Sequence, residues 1–131
     1  MNEMTALVVD DEEIVRKYLS DVLKRRYENV IIAQNVSEAL ALLANNKIDI
    51  MITDMQMPEA SGIDLITKIR ETNNEVAIIV TSGKEFSEDD MMLLLAKSVY
   101  GFLFKPSTVA EIFSCLDQVE QTLKDRSKLK Y

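Results

Sequence analysis

Five short apolar runs alternate with five stretches of helical periodicity, and this alternation constrains the fold more than any single motif in the 131 residues. The runs are Ala6 to Val9, Val30 to Ala33, Ile48 to Asp54, Val76 to Val80, and Tyr100 to Phe104. Runs so short and free of internal turn signals suit strands covered on both faces better than helices. Between them, Ile14, Val15, Tyr18, Leu19, Val22 and Leu23 mark a first helix, closed by Lys24-Arg25-Arg26, whose charges complement its dipole. Val36 and Ser37 read as staple and N-cap of a second helix carrying Ala39, Leu40, Leu42 and Leu43, ended by Asn45-Asn46. Ser61 and Asp64 have capping-box spacing ahead of Leu65, Ile66 and Ile69, and Thr72-Asn73-Asn74 is a turn. Ser87 with Asp90 opens a fourth helix; Thr108 with Glu111 opens a fifth, whose stripe of Ile112, Leu116, Val119 and Leu123 fades at Lys124 to Lys128. Strands that alternate with helices predict an α/β fold, a doubly wound five-stranded parallel sheet. The domain is expected to span 1–125, with 126–131 as a C-terminal extension toward any module that follows.

A chain of this length buries roughly two-thirds of the surface its unfolded form exposes, so no disulfide or structural metal is needed for folding. Cys115 stands alone and reads as a small residue in or near the core. The longest fully apolar run, Met91 to Ala96, is far too short to cross a bilayer, yet six apolar residues in a row cannot all fit one inward stripe. Some of them are expected to be exposed or to meet a partner. Met1-Asn2-Glu3-Met4 lacks the basic start of a signal peptide, which with the lone cysteine implies the cytoplasm. A net charge of -7, from 22 acids and 15 bases, argues against direct binding of nucleic acid or anionic lipid by this segment. There is no histidine, which excludes histidine nucleophiles, histidine metal sites and histidine phosphorylation here. Gly62, Gly83 and Gly101, the only glycines, cannot spell a P-loop or a dinucleotide fingerprint.

Open α/β sheets bind ligands at the carboxyl ends of their strands. Four of the five strands finish there on Asp10-Asp11, Asp54, Thr81 and Lys105. Each has an ordinary structural alternative: acids favoured in a helix's first turn for Asp10-Asp11-Glu12-Glu13, a turn former or N-cap for Asp54, a turn residue for Thr81, a solvated loop for Lys105-Pro106. Tyr100 and Phe102 are by default strand packing. Taken together the four strand ends resist dismissal. Converging carboxylates repel, and a divalent cation relieves them; hard oxygen donors without His or Cys point to Mg²⁺ or Mn²⁺. An aspartate nucleophile, such a metal, a mobile lysine charge and a threonine hydroxyl make a phosphoryl-transfer site.

These residues, in this order, are similar to those of the receiver domains of two-component response regulators. The resemblance covers Leu7 to about Val119 and rests on Val8-Val9-Asp10-Asp11-Glu12, Ser37-Glu38-Ala39-Leu40, Asp54-Met55-Gln56-Met57-Pro58 with Gly62, Val80-Thr81-Ser82, and Phe104-Lys105-Pro106. It implies a flavodoxin-like sheet of strand order 2-1-3-4-5, with Asp54 as phosphoacceptor. It further implies Asp11 as direct metal ligand, Asp10 acting largely through water, and the Gln56 backbone carbonyl completing the set. Thr81 would turn its hydroxyl to the phosphoryl group, Lys105 would pair with it after a cis Lys105-Pro106 peptide, and Phe102 would be the aromatic switch. The donor it implies is a phosphohistidine on a histidine kinase or phosphotransfer protein. The surplus apolar residues of Met91 to Ala96 then favour the fourth helix, fifth strand and fifth helix as the expected output face, through which a homodimer or partner would dock. Ser98-Val99 and Val36 depart from the family's usual small residues at positions that carry no chemistry. Gln56 and Gly83 stand where side chains tune access to the phosphoryl group. A flavodoxin-like binding or small hydrolytic domain is the competing class: no Ser/Thr-Gly-rich phosphate loop is present for a flavin, and Gln56 stands where an aspartate-nucleophile phosphatase needs a second aspartate. The third reading, a receiver kept only as a docking module, sits poorly with five intact functional positions.

Overall fold

A computed structural model describes residues 2–57, 61–72 and 74–128. The elements run β1 (Asn2–Val9), α1 (Glu13–Leu23), β2 (Tyr27–Ala33), α2 (Val36–Asn45), β3 (Ile50–Asp54), α3 (Gly62–Glu71), β4 (Ala77–Ser82), α4 (Glu88–Ala96), β5 (Val99–Phe104) and α5 (Val109–Lys128). Every strand pairing is parallel and the sheet order is β2-β1-β3-β4-β5, as expected. The Lys105-Pro106 peptide is cis. Pro58, part of the motif after the third strand, and Asn73, read as part of a turn, lie outside the described residues, as do 129–131 of the expected extension. α5 runs unbroken through residues 125 and 126.

Period-two alternation of the strands sorts the core into two layers. Leu7, Val9, Met51, Ile78 and Val80 pack with Val36, Ala39 and Leu43 of α2, Leu65, Ile66 and Ile69 of α3, and Leu94 of α4. Ala6, Val8, Ile50, Ile52, Ala77, Ile79 and Leu103 pack on the other face with Leu19, Val22 and Leu23 of α1 and Ile112, Leu116 and Val119 of α5. β3 and β4 are buried along their whole length, which is why they read as continuous apolar runs.

Several local expectations hold. Ser61 and Asp64 form a reciprocal capping box, the Ser87 hydroxyl accepts from the Asp90 N–H, and Thr108 and Glu111 satisfy one another. Others need correction. The N-cap of α2 is Asn35, whose side chain accepts from the Glu38 N–H at 2.8 Å, so Val36 and Ser37 lie inside the helix. Ile14 fits the periodicity of α1 but is 84% exposed. Of the basic cluster after α1, Lys24 is the C-cap residue, its N–H donating to the Ser20 carbonyl at 2.9 Å, while the Arg26 guanidinium reaches Glu120 at 2.8 Å and Asp117 at 2.6 Å on α5 and lies over the Phe113 ring. The surplus of α4 is real, with Leu94 buried while Met92, Leu93 and Leu95 are exposed.

Candidate functional site

The same alternation that builds the core aims the site. Asp54 continues the parity of Ile50 and Ile52, Thr81 that of Ala77 and Ile79, and one step beyond β1 and β5 Asp10 and Lys105 continue that of Val8 and Leu103. All four therefore fall toward the α1/α5 face at the carboxyl edge of the sheet. Lys105 lies between the two acids, its Nζ 2.8 Å from Asp10 Oδ2, 3.2 Å from Asp54 Oδ2 and 3.9 Å from Glu12 Oε1.

Backbone groups fix the acids in place. The Asp10 carboxylate accepts from the Glu12 N–H at 2.9 Å, and its own N–H donates to the Ala33 carbonyl. Asp54 Oδ1 accepts from the Gln56 N–H at 3.2 Å, and the Met55 N–H donates to the Thr81 carbonyl at 2.9 Å, locking the strand end to its neighbour. Asp10 is fully buried and Asp54 only 5% exposed. Burial pushes the Asp54 carboxyl above its usual range, and the Asp10 charge adds to this; the Gln56 N–H and the Lys105 ammonium oppose it without cancelling it. For Lys105 burial opposes the charge, but the hydrogen bond to Asp10 and the nearby charges of Asp54 and Asp10 more than offset it, and its pKa is raised.

Asp10, Asp11 and Glu12 present carboxylate oxygens all within 4.8 Å of one another. Glu12 belongs to this cluster although the sequence marks it only as one more acid in a run of four. Thr81 pairs with Asp54 in the strand register, and its Oγ1 is buried with no hydrogen-bond partner among the described residues. Phe102 is the one expected site residue not brought to the acids. It pairs with Val80, whose parity is opposite to that of Thr81, and lies on the α2–α4 side, edge to face with Phe86 at 5.3 Å. The arrangement offers a buried carboxylate, a neutralising ammonium, a free hydroxyl and an all-oxygen acidic pocket.

A family model described as the response regulator receiver domain matches residues 6–117. The response regulator protein PilR of Pseudomonas aeruginosa is 37% identical over 108 residues, 81% of this chain and 24% of that protein, so the chain spans about a quarter of it. Chemotaxis protein CheY1 of Helicobacter pylori is 36% identical over 109 residues, 80% of this chain and 87% of that one. The crystal structure of a response regulator receiver protein from Pseudomonas putida superposes with a TM-score of 0.81 at 31% identity, covering 90% of this chain and 98% of its own.

Proposed function

The chain belongs to the response regulator receiver domain family, and on that premise we propose that it is a phospho-accepting switch with Asp54 as acceptor. Receiver domains are phosphorylation-based signalling switches that interact with histidine kinases. The observation that carries the assignment to Asp54 is the Lys105 ammonium set between Asp10 and Asp54 at 2.8 and 3.2 Å, beside a buried, unpaired Thr81 hydroxyl.

In the proposed reaction an Asp54 carboxylate oxygen forms a bond to phosphorus as the P–N bond to a partner's phosphohistidine breaks. The imidazole leaves with the electron pair and takes a proton from solvent. Lys105 moves its charge from the Asp54 carboxylate to the new phosphoryl oxygens, and the Thr81 hydroxyl donates to one of them. The donor set fits Mg²⁺ or Mn²⁺, being carboxylate and carbonyl oxygens without nitrogen or sulfur. Asp10, Asp11, Asp54 and the Gln56 carbonyl would hold the ion, with Glu12 beside them. When bound it supplies positive charge that offsets the clustered acids and the incoming phosphoryl group. The chain catalyses only its own phosphorylation and dephosphorylation, and a donor on a partner kinase or phosphotransfer protein is consistent with a segment that has no histidine of its own.

The output face is proposed to be α4, β5 and α5, where Met92 (70% exposed), Leu95 (57% exposed) and Phe104 are exposed apolar side chains that a partner or second copy would cover. No helix among the described residues is long and apolar enough to cross a membrane, and a cytoplasmic location suits a domain fed by a kinase. The receiver unit is taken as 1–125, with 126–131 leading on from it. The test is incubation with Mg²⁺ and acetyl phosphate followed by intact mass. One acid-stable, hydroxylamine-labile phosphoryl group is expected, absent in Asp54→Asn; an unlabelled wild-type chain beside a labelled control receiver removes the proposal.

A further inference from the structure

Tyr18 has no part in the chemistry above, yet it reaches from α1 to the loop that carries Lys105. Its phenol donates to the Ser107 carbonyl at 2.7 Å, joining residues 89 apart in the chain. That loop is short and internally braced. At one end the Lys105 N–H donates to the Ser82 carbonyl at 2.8 Å; at the other, Thr108 begins the capping box of α5. Between them the Ser107 hydroxyl donates back to the Phe104 carbonyl at 2.6 Å. The Tyr18 hydrogen bond adds a tie from the far side of this loop to α1, where the other braces hold it only to β4, β5 and α5. The same helix grips the acidic loop as well: Arg16 Nη1 donates to the Asp10 carbonyl at 2.8 Å. α1 thus holds both loops whose charges meet at 2.8 Å.

We propose that Tyr18 is a positioning residue for Lys105, acting through the Ser107 carbonyl to keep the ammonium between Asp10 and Asp54. The proposal deepens the phosphoacceptor reading, on which one of its two readouts rests. Tyr18→Phe removes a single oxygen from a partly exposed ring, so the fold is retained.

The first readout needs no phosphorylation. Lysines of the full chain are acetylated with a limiting amine-acylating reagent, and each site is followed by peptide mass. Loss of one hydrogen bond of this kind is expected to speed acylation of Lys105 roughly two- to tenfold while Lys84 and Lys97 stay unchanged. An unchanged rate at Lys105, or an equal rise at all three, overturns the proposal. The second readout is the rate of Asp54 labelling by acetyl phosphate in wild type, Tyr18→Phe, Lys105→Ala and the double variant. Tyr18→Phe is expected to slow labelling by a similar factor when Lys105 is present and to have no further effect when it is absent. Equal slowing in both backgrounds overturns the role through Lys105. A wild-type chain that takes no label defeats the phosphoacceptor reading, while the acylation rates still decide about Tyr18.

Discussion

Gly62 opens α3 with its backbone pressed against the strand end that carries Asp54. A Cβ at this position would lie 2.7 Å from the Asp54 carbonyl oxygen and 2.9 Å from Met55 Cα. The Gly62 N–H donates to the Met55 carbonyl at 2.9 Å, so the close approach is itself hydrogen-bonded. Its φ is not positive, so alanine is conformationally allowed and the penalty is steric. The atoms met are backbone, and no rotamer change relieves them; either the start of α3 retreats or the Asp54–Met55 segment moves. Overpacking costs about 1–3 kcal/mol, and rigid neighbours place this site in the upper half of that range. The reduced entropy of an unfolded chain with alanine in place of glycine offsets about 0.4–1 kcal/mol. Gly62→Ala is therefore expected to lose about 1–2.5 kcal/mol, which for a domain of this size lowers Tm by about 4–9 °C. Urea unfolding with an unchanged slope measures it, and labelling by acetyl phosphate should slow in parallel because the backbone of the proposed acceptor, Asp54, is displaced. Gly83→Ala is the control: a Cβ there meets nothing within 4 Å, so the variant should match or exceed wild type. Equal stabilities for the two variants would refute the idea that helix and strand end are in obligatory contact.

Asp54 has a folded pKa raised above its ordinary value of 3.8, so the native chain holds this proton more tightly than the unfolded one. The resulting stabilisation is present below the unfolded pKa and lost as pH rises through the folded one. Asp54→Asn should accordingly melt above wild type at neutral pH, with the gap closing as pH falls to about 4; no gap at neutrality would mean that Lys105 and the Gln56 N–H outweigh burial. A Cβ on Gly101 would lie 2.6 Å from Cys115 Sγ, so Gly101→Ala should cost about 1–3 kcal/mol in wild type and clearly less in Cys115→Ala, a coupling that a double-mutant cycle reads directly. Leu95→Glu, on the exposed side of α4, should shift stability by less than about 0.5 kcal/mol while weakening self-association or partner binding; unchanged sedimentation and binding would exclude this face. Thr81→Val should leave stability equal or higher, since the hydroxyl it removes is unpaired, yet impair the response to phosphorylation as followed by NMR shifts of the α4–β5 region.

What was legible in the sequence was whatever short-range spacing encodes. Ser61 with Asp64 and Thr108 with Glu111 are contacts three residues apart, and both form. The doubly wound parallel sheet, and the gathering of Asp10, Asp54, Thr81 and Lys105 at its carboxyl edge, were reachable because five runs of fixed period alternate with helices; the strand order came from the family resemblance. Failures came where neighbours compete or partners are distant. Asn35 and Ser37 are both good caps, and the choice turned on Val36, which is buried and so belongs to the helix. Arg26 could be read only against its own helix, because its partners Asp117 and Glu120 come from α5, more than ninety residues on. Ile14 satisfies a periodicity that overshoots the face α1 buries. Glu12 could have been singled out by its place directly after Asp10-Asp11, but only the loop's path shows that its carboxylate stands with theirs.

The energetics of the strand ends argue for their purpose. A domain with a sheet buried on both faces gains nothing in stability from a fully buried Asp10, an Asp54 whose burial favours its protonated form, and a Thr81 hydroxyl without a partner. An unpaired buried hydroxyl alone costs about 1–3 kcal/mol, and valine would fill the same shape. Lys105 relieves the acids, but it does so as a flexible ammonium shared between them, the kind of charge that can leave one carboxylate for a new anion without a rearranged fold. Each cost falls at the carboxyl edge on the α1/α5 face, whereas the strand interiors beneath are apolar. Costly polar groups gathered at one edge, above apolar strand interiors, are what the proposed phosphoryl site rests on.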